Sequence, residues 1–331
     1  MTAPIRCAIL SSAHVHTAAY ADALRQVPNA ALAAIWDDNA DRGRAFADHY
    51  NVPFLADLRA PAAWDEFDAV VITSENSRHA ALCLEACRAG KHVLCEKPLA
   101  TTNEDAAAMV AAADTAGVVL ATAFPMRHSL PAIAVKRTIS DGGIGEVLAV
   151  RSTNHGKMPP GWFRDPALAG GGAVMDHTVH VVDLLRWYLE DEPVEVYAEI
   201  SNGFHHIAVD DAAFLTITFR SGVVVTLDPS WSRPASFPMW GDLTLEIAGT
   251  KGTVGLDAFG QKVVRYPAEN APSEWLGYGA DADLALITDF VAAVRERRAP
   301  AATGRDGARA LAVALAAYAS AKSGQPEVIV P

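Results

Sequence analysis

Two short stretches carry side chains whose types and spacing suit proton and hydride chemistry. The first is Lys91-His92-Val93-Leu94-Cys95-Glu96-Lys97-Pro98, an apolar run that meets Glu-Lys-Pro at a turn. Val93, Leu94 and Cys95 read as a buried strand stopped by Pro98. In an open parallel sheet, ligands bind at the carboxyl ends of strands, so Glu96 and Lys97 stand where a substrate would lie. A lysine partly desolvated there lowers its pKa and can exchange protons near neutrality. The second stretch runs from Gly170-Gly171-Gly172 to His180, with Asp176 and His180 four apart and so on one face of a helix. A carboxylate beside an imidazole fixes its tautomer and raises its basicity, which suits a general base. The glycine triplet is expected to let backbone approach a ligand closely. Alone, the lysine would read as a surface loop residue and the histidine as a satisfied core group; their combination points to catalysis.

An alternating frame must position the first stretch. Strands are expected over Ile5 to Leu10, Ala31 to Trp36 and Asp68 to Thr73, then through Val93 to Cys95 and over Val118 to Ala121. Helices fall between them, over Val15 to Val27, Ala40 to His49, Arg78 to Ala89 and Asn103 to Ala116. That order predicts an α/β, Rossmann-type doubly wound parallel sheet over residues 1–123. From residue 124 to 331 strands follow one another, with a few helices interspersed. This predicts a second, α+β domain with a large, mainly antiparallel open sheet flanked by helices.

The first strand leads into Ser11-Ser12-Ala13-His14-Val15-His16, where a dinucleotide fingerprint would place glycine at positions 11, 13 and 16. Small Ser11 and Ala13 substitute in part, and a helix N-terminus still offers amides to a phosphate. His16 is not explained by size. Asp37 ends the second strand, where a carboxylate accepts the ribose hydroxyls of an adenosine. That favours NAD, because a 2′-phosphate would meet the charges of Asp37 and Asp38; Arg42 could offset them, so NADP stays open.

Composition narrows the classes. The chain has 331 residues and a formal charge of −12, which argues against nucleic acid, since phosphate binding needs clustered cations. No apolar run reaches membrane-spanning length and no apolar leader is visible, so a cytoplasmic protein is expected. Cys7, Cys83, Cys87 and Cys95 fall in expected strands and a helix, without zinc-type pairing, and read as core. His155, Asp176, His177 and His180 are metal-ligand types, but their spacing matches no zinc pattern and Lys97 opposes a cation; no metal is expected.

With these motifs in place, the chain resembles the glucose-fructose oxidoreductase / inositol dehydrogenase (Gfo/Idh/MocA) family from Ile5 to a last strand near Val330. The stretch Gly90 to Leu99 and the segment Gly170 to Trp187 carry the resemblance. Asn76-Ser77-Arg78-His79, Ile144-Gly145-Glu146-Val147, Gly249-Thr250-Lys251-Gly252 and Asp306-Gly307 support it. The resemblance implies an NAD(P)-dependent dehydrogenase acting on a sugar, cyclitol or related polyol, with Lys97 touching nicotinamide ribose and the reacting hydroxyl. It implies that Asp176 and His180 complete the catalytic set. It further implies cofactor contacts at Ser11, Ala13, His14, Asp37, Ser74, Asn76, His79, Glu96 and Arg127. His155, Trp162, Arg164 and His177, with Trp231 and Arg233, are expected to shape a polar, aromatic-walled substrate pocket. A homodimer or homotetramer through the C-terminal sheet is also implied.

Two rivals stay open at this point. The same fold can use bound NAD transiently, to cleave or isomerise a sugar without net redox change. The missing glycines also allow a non-catalytic sugar-binding sensor.

Overall fold

The computed structural model describes residues 3–266 and 273–330, and the chain divides into two compact units. The first comprises the residues up to Pro125 together with Asp281–Ala308; the second comprises Met126–Ala280 and the residues from Arg309 on. The boundary near residue 124 is therefore crossed twice more, because part of the C-terminal region returns to the first unit.

In the first unit, β1 (Ile5–Leu10), β2 (Ala30–Trp36), β3 (Phe54–Leu55), β4 (Ala69–Ile72), β5 (His92–Cys95) and β6 (Leu120–Thr122) form one sheet. Its order is β3-β2-β1-β4-β5-β6 and every neighbouring pair is parallel. The order reverses between β1 and β4, the place where such sheets open a ligand crevice. Helices α1 (Thr17–Gln26), α2 (Ala40–Tyr50), α3 (His79–Arg88) and α4 (Asn103–Ala116) make the crossovers. Thr102 caps α4 by accepting from Asp105 N, and Gly117 ends it in the left-handed conformation.

The second unit begins with α5 (Leu130–Ser140) and contains β7 (Val147–Thr153), a short α6 (Pro166–Ala169) and the long buried α7 (Ala173–Leu189). Then come β8 (Pro193–Ser201), β9 (Ala212–Phe219), β10 (Val224–Asp228), β11 (Thr244–Gly249) and β12 (Gly252–Asp257). A hairpin of β13 (Lys262–Arg265) and β14 (Glu274–Gly277), not foreseen from the sequence, follows. The chain next enters α8 (Ala282–Glu296), runs through α9 (Gly304–Ser323) and ends with β15 (Glu327–Val328). The large sheet has the order β12-β11-β7-β10-β9-β8-β15 and is antiparallel except for the pair β7 and β10.

Packing explains why α8 belongs with the first unit. Its Leu286, Ile287, Phe290, Val291 and Val294 share one core with Tyr20 and Leu24 of α1 and Cys7 and Ile9 of β1. Burial of such side chains is worth roughly 1.5–3 kcal/mol each, so this apolar face fixes where α8 docks. All four cysteines are buried and free, in keeping with a packing role.

The turn after β1 is bolted to the ends of two neighbouring strands, β2 and β4. Ser11 N donates to Trp36 O at 2.6 Å, Thr73 Oγ1 donates to Ser11 O at 2.6 Å, and His14 N donates to Thr73 O at 3.0 Å. Ser11 itself has φ 72°, the left-handed region that favours glycine. The missing first glycine has thus changed the residue but not the backbone shape. Comparing Ser11→Gly with Ser11→Val isolates the backbone, because both lose the hydroxyl. The valine variant is expected to be less stable than the glycine variant by about 2 kcal/mol in chemical denaturation; equal stabilities would refute a conformational demand at this turn.

Candidate active site

Four residues meet at the carboxyl end of the first sheet. Glu96 follows β5 and is fully buried. Its Oε1 lies 2.8 Å from His16 Nδ1 and 3.6 Å from His14 Nδ1, and its Oε2 accepts from Lys97 N at 2.9 Å. Burial opposes its charge, yet the charges of His14, His16 and Lys97 outweigh burial and hold the carboxyl well below the usual range. Burial likewise opposes a charged His16, but Glu96 prevails and raises its pKa. Tyr20, from α1, is buried beside them; burial and the Glu96 charge push its phenol well up. His16 thus supplies a countercharge at the position of the third fingerprint glycine. The ring nitrogens of His14 and His16 and a Glu96 oxygen lie within 4.8 Å of one another, close enough for a metal ion. The Lys97 charge acts on the same group, and a proton on His16 already balances Glu96, so we do not assign a metal here.

Asp37, at the end of β2, has its acceptor positions taken from inside the protein. Oδ2 accepts from Ser12 N at 2.7 Å, Ser12 Oγ at 2.8 Å and Arg42 Nε at 2.8 Å. Oδ1 accepts from Asn39 N at 2.9 Å and from Arg42 at 2.7 Å. Arg42 also approaches Asp38, which pairs with Arg78.

Two expected cofactor contacts receive a different role. His79 is fully buried, with Nδ1 2.9 Å from Pro98 O and Nε2 3.3 Å from Ser74 O. It staples the loop after β4 to the loop after β5 and has no surface to offer a cofactor. Glu96, equally enclosed, can act on one only through its neighbours. Ser74 and Asn76 are buried in the same loop, Ala13 is half-buried in the β1 turn, and Lys97 is buried at the strand end.

In the second unit Asp176, His177 and His180 lie on the first turns of α7, all buried. Asp176 Oδ2 accepts from Trp231 Nε1 at 3.2 Å and lies 3.3 Å from His177 Nε2. His177 Nδ1 faces Pro229 O at 2.8 Å, and a carbonyl can only accept. Both ring nitrogens of His177 therefore face acceptors, an arrangement satisfied when the ring carries two protons or shares one with Asp176. A Cβ at Gly156 would come within 2.6 Å of His177 Cε1, so this close approach requires glycine. His177, expected in the substrate pocket, is instead packed between Asp176, Pro229 and Gly156.

The glycine triplet also serves the fold rather than a ligand. Asp210 accepts from Gly172 N at 2.8 Å and Val174 N at 2.8 Å, and Tyr318 Oη accepts from Met175 N at 3.2 Å. A Cβ at Gly172 would overlap the Asp210 carbonyl. An internal carboxylate thus occupies the α7 N-terminus where a ligand was expected.

His155 is likewise engaged. Nε2 lies 3.0 Å from Asp228 and Nδ1 3.1 Å from Asp242, while Arg233 is held on the same Asp242. Burial disfavours the imidazolium, but hydrogen bonds to both carboxylates outweigh it and push His155 up to about 9. Asp242 is pulled down to about 2, burial being outweighed by His155 and Arg233. His155 is therefore a strut joining the ends of β7, β10 and β11. Arg127, expected at a cofactor, commits its guanidinium to Asp183 at 2.8 and 2.6 Å within the second unit. Trp162 stacks on Phe163 at 3.9 Å, and Arg164 is exposed.

Residues 5–124 match the family model described as "Oxidoreductase family, NAD-binding Rossmann fold", and residues 132–255 match the GFO/IDH/MocA C-terminal domain. The 1,5-anhydro-D-fructose reductase of Ensifer adhaerens is 34% identical over 89% of this chain and 90% of its own length. The chain belongs to the Gfo/Idh/MocA family of oxidoreductases. Another member, the myo-inositol 2-dehydrogenase of Thermotoga maritima, is 29% identical over 92% of each chain. GenD2 from gentamicin A biosynthesis, solved in complex with NAD, has a TM-score of 0.90 at 26% identity, covering 100% of this chain and 98% of its own.

The first unit is thus the family's NAD-binding Rossmann domain, and its residues fit that cofactor. The β1 turn keeps the glycine-like backbone at Ser11, and α1 starts without a side-chain cap or an acid in its first turn. The amides of Ser12, His14, His16 and Thr17 already have acceptors inside the protein, so the fit rests on the shape of the turn and on the helix dipole. The Glu96–His16 pair, the Asp210 cap and the two aspartates on His155 escaped sequence reading. Each joins residues far apart in the chain; only the odd histidine at a glycine position hinted at one of them.

The sign of the His155 shift yields a pH prediction. Its folded pKa is raised from 6.5 to about 9, so its contribution is complete below 6.5 and is lost as pH climbs through 9. Thermal unfolding between pH 6.5 and 9 is expected to show a falling midpoint in the native chain and a flatter profile in His155→Gln. Parallel profiles would contradict a charged strut.

Proposed function

We propose that this oxidoreductase transfers a hydride between NAD and a secondary alcohol of a sugar, cyclitol or related polyol, using Lys97, Asp176 and His180. The observation that carries the proposal is Lys97 at the carboxyl end of β5, its amide tied to a buried, ionised Glu96. Relatives named as an anhydrofructose reductase and an inositol dehydrogenase support a polyhydroxylated substrate. In the oxidative direction, His180 takes the hydroxyl proton, while Asp176, one turn before it on α7, accepts from Trp231 and lies against His177. Lys97 stabilises the oxygen as negative charge develops on it. NAD, when bound, supplies the hydride acceptor. Ser11, Ala13, His14, Asp37, Ser74, Asn76 and Lys97 make up the cofactor-contacting set, with Arg42 deciding how far NADP is tolerated.

The glycine-like backbone at Ser11 supports a working cofactor turn, and so speaks against a cofactor-free sensor. Among the described residues no helix is long and apolar enough to cross a membrane. We place the protein in the cytoplasm as a homodimer or homotetramer. The large sheet supports this assembly: one face packs Val150, Leu215, Val225 and Leu245 inward, while the other exposes Phe214, Val224 and Ala149.

Lys97→Met is expected to lower turnover by at least about 10²-fold on a panel of sugars and cyclitols, followed by nicotinamide absorbance. NADH affinity, from fluorescence titration, should stay within a few-fold. Undiminished turnover would remove Lys97 from the reaction. Light scattering should show Phe214→Glu shifting the protein toward monomer; an unchanged mass would mean that this face is not the interface.

A further inference from the structure

His16 stands where cofactor turns of this kind hold a glycine, and its side chain is about a third exposed (35%) while its partner Glu96 is wholly enclosed. In a doubly wound sheet the two halves of a dinucleotide lie over the strand ends on either side of the reversal. Asp37 on β2 marks the adenosine side, which leaves the ends of β4 and β5, with Glu96, for the nicotinamide side. The oxidised nicotinamide ring carries a positive charge and the reduced ring carries none.

We infer that His16 is a positioning residue through which the protein reads the charge of the nicotinamide ring. With its proton on, the imidazolium neutralises Glu96, and the pair presents no net charge to the ring. With its proton off, the bare Glu96 carboxylate remains and favours the oxidised, cationic ring. Binding of NAD⁺ therefore releases a proton from His16 to solvent, whereas binding of NADH does not.

The groups around His16 fit this reading. Glu96 and Lys97 face it from the end of β5, His14 from the turn, Tyr20 from α1 and Asp283 from the start of α8. Lys97 opposes the imidazolium, while Glu96 and Asp283 favour it. Burial raises Asp283, and Tyr20 titrates far above neutrality. By residue type, only His14 and His16 change charge between pH 5 and 8 unless perturbed, so the two must be separated by experiment. The inference rests on the cofactor site proposed above.

The test measures dissociation constants for NAD⁺ and NADH from pH 5.5 to 9 by calorimetry, in the native chain, His16→Gln and His14→Gln. In the native chain and in His14→Gln, the NAD⁺/NADH ratio of dissociation constants should fall about 2- to 30-fold as pH rises, the range for unit charges ~8 Å apart between the dielectric of water and that of a protein surface. In His16→Gln the ratio should be flat and remain near the native high-pH value. Should that variant fail to fold, NMR of histidine ring protons in the native chain decides. Linkage requires NAD⁺ to lower the His16 pKa while NADH leaves it in place. A pH-independent native ratio, a transition retained in His16→Gln, or an unmoved His16 resonance would overturn the inference while leaving the cofactor site intact. Failure of the native chain to bind either form would overturn both.

Discussion

A carboxylate with no access to water organises the first unit. Glu96 can be ionised there because His16, His14 and Lys97 surround it, and without them its burial would cost several kcal/mol. That constraint joins three pieces of chain: the turn after β1, the end of β5 and the start of α1. It also accounts for a histidine where a glycine would be expected. Close packing of helix on strand has given way to a buried ion pair, and Tyr20 fills the space behind it. The Lys97 amide is held by the same carboxylate, so the lysine's placement follows from the charge balance beneath it.

The second unit solves its electrostatic problems in the same way. Asp210 satisfies the first amides of α7, Asp176 sits between Trp231 and His177, and His155 bridges two aspartates at the strand ends. Each buried charge meets an opposite charge or a hydrogen-bond donor, as a low-dielectric interior demands. This bracing holds the buried first turns of α7, on which the proposed pair Asp176 and His180 lie one turn apart. Several residues that look like pocket chemistry in the sequence take part in this bracing: His155 bonds Asp228 and Asp242, His177 lies against Asp176 and the Pro229 carbonyl, and Arg127 bonds Asp183.

Much of the architecture was legible from local pattern. Ile5–Leu10 and Asn103–Ala116 begin and end where periodicity and turn residues place them. Strands and helices obey spacing rules that act over a few residues, so one sequence suffices to find them. The β13–β14 hairpin carries no comparable signal, and the return of α8 to the first unit depends on which core its apolar face joins.

Residue order alone predicts a nicotinamide-type α/β unit ahead of a sheet-rich unit and singles out Lys97, Asp176 and His180. Residue type and short-range spacing carry that information. Folding settles which histidines, aspartates and arginines pair with one another. Those pairings link His16 to Glu96, Asp210 to Gly172, and His155 to Asp228 and Asp242. Partners so distant along the chain leave no periodicity behind, and their charges are settled by burial, which exists only once the chain has folded.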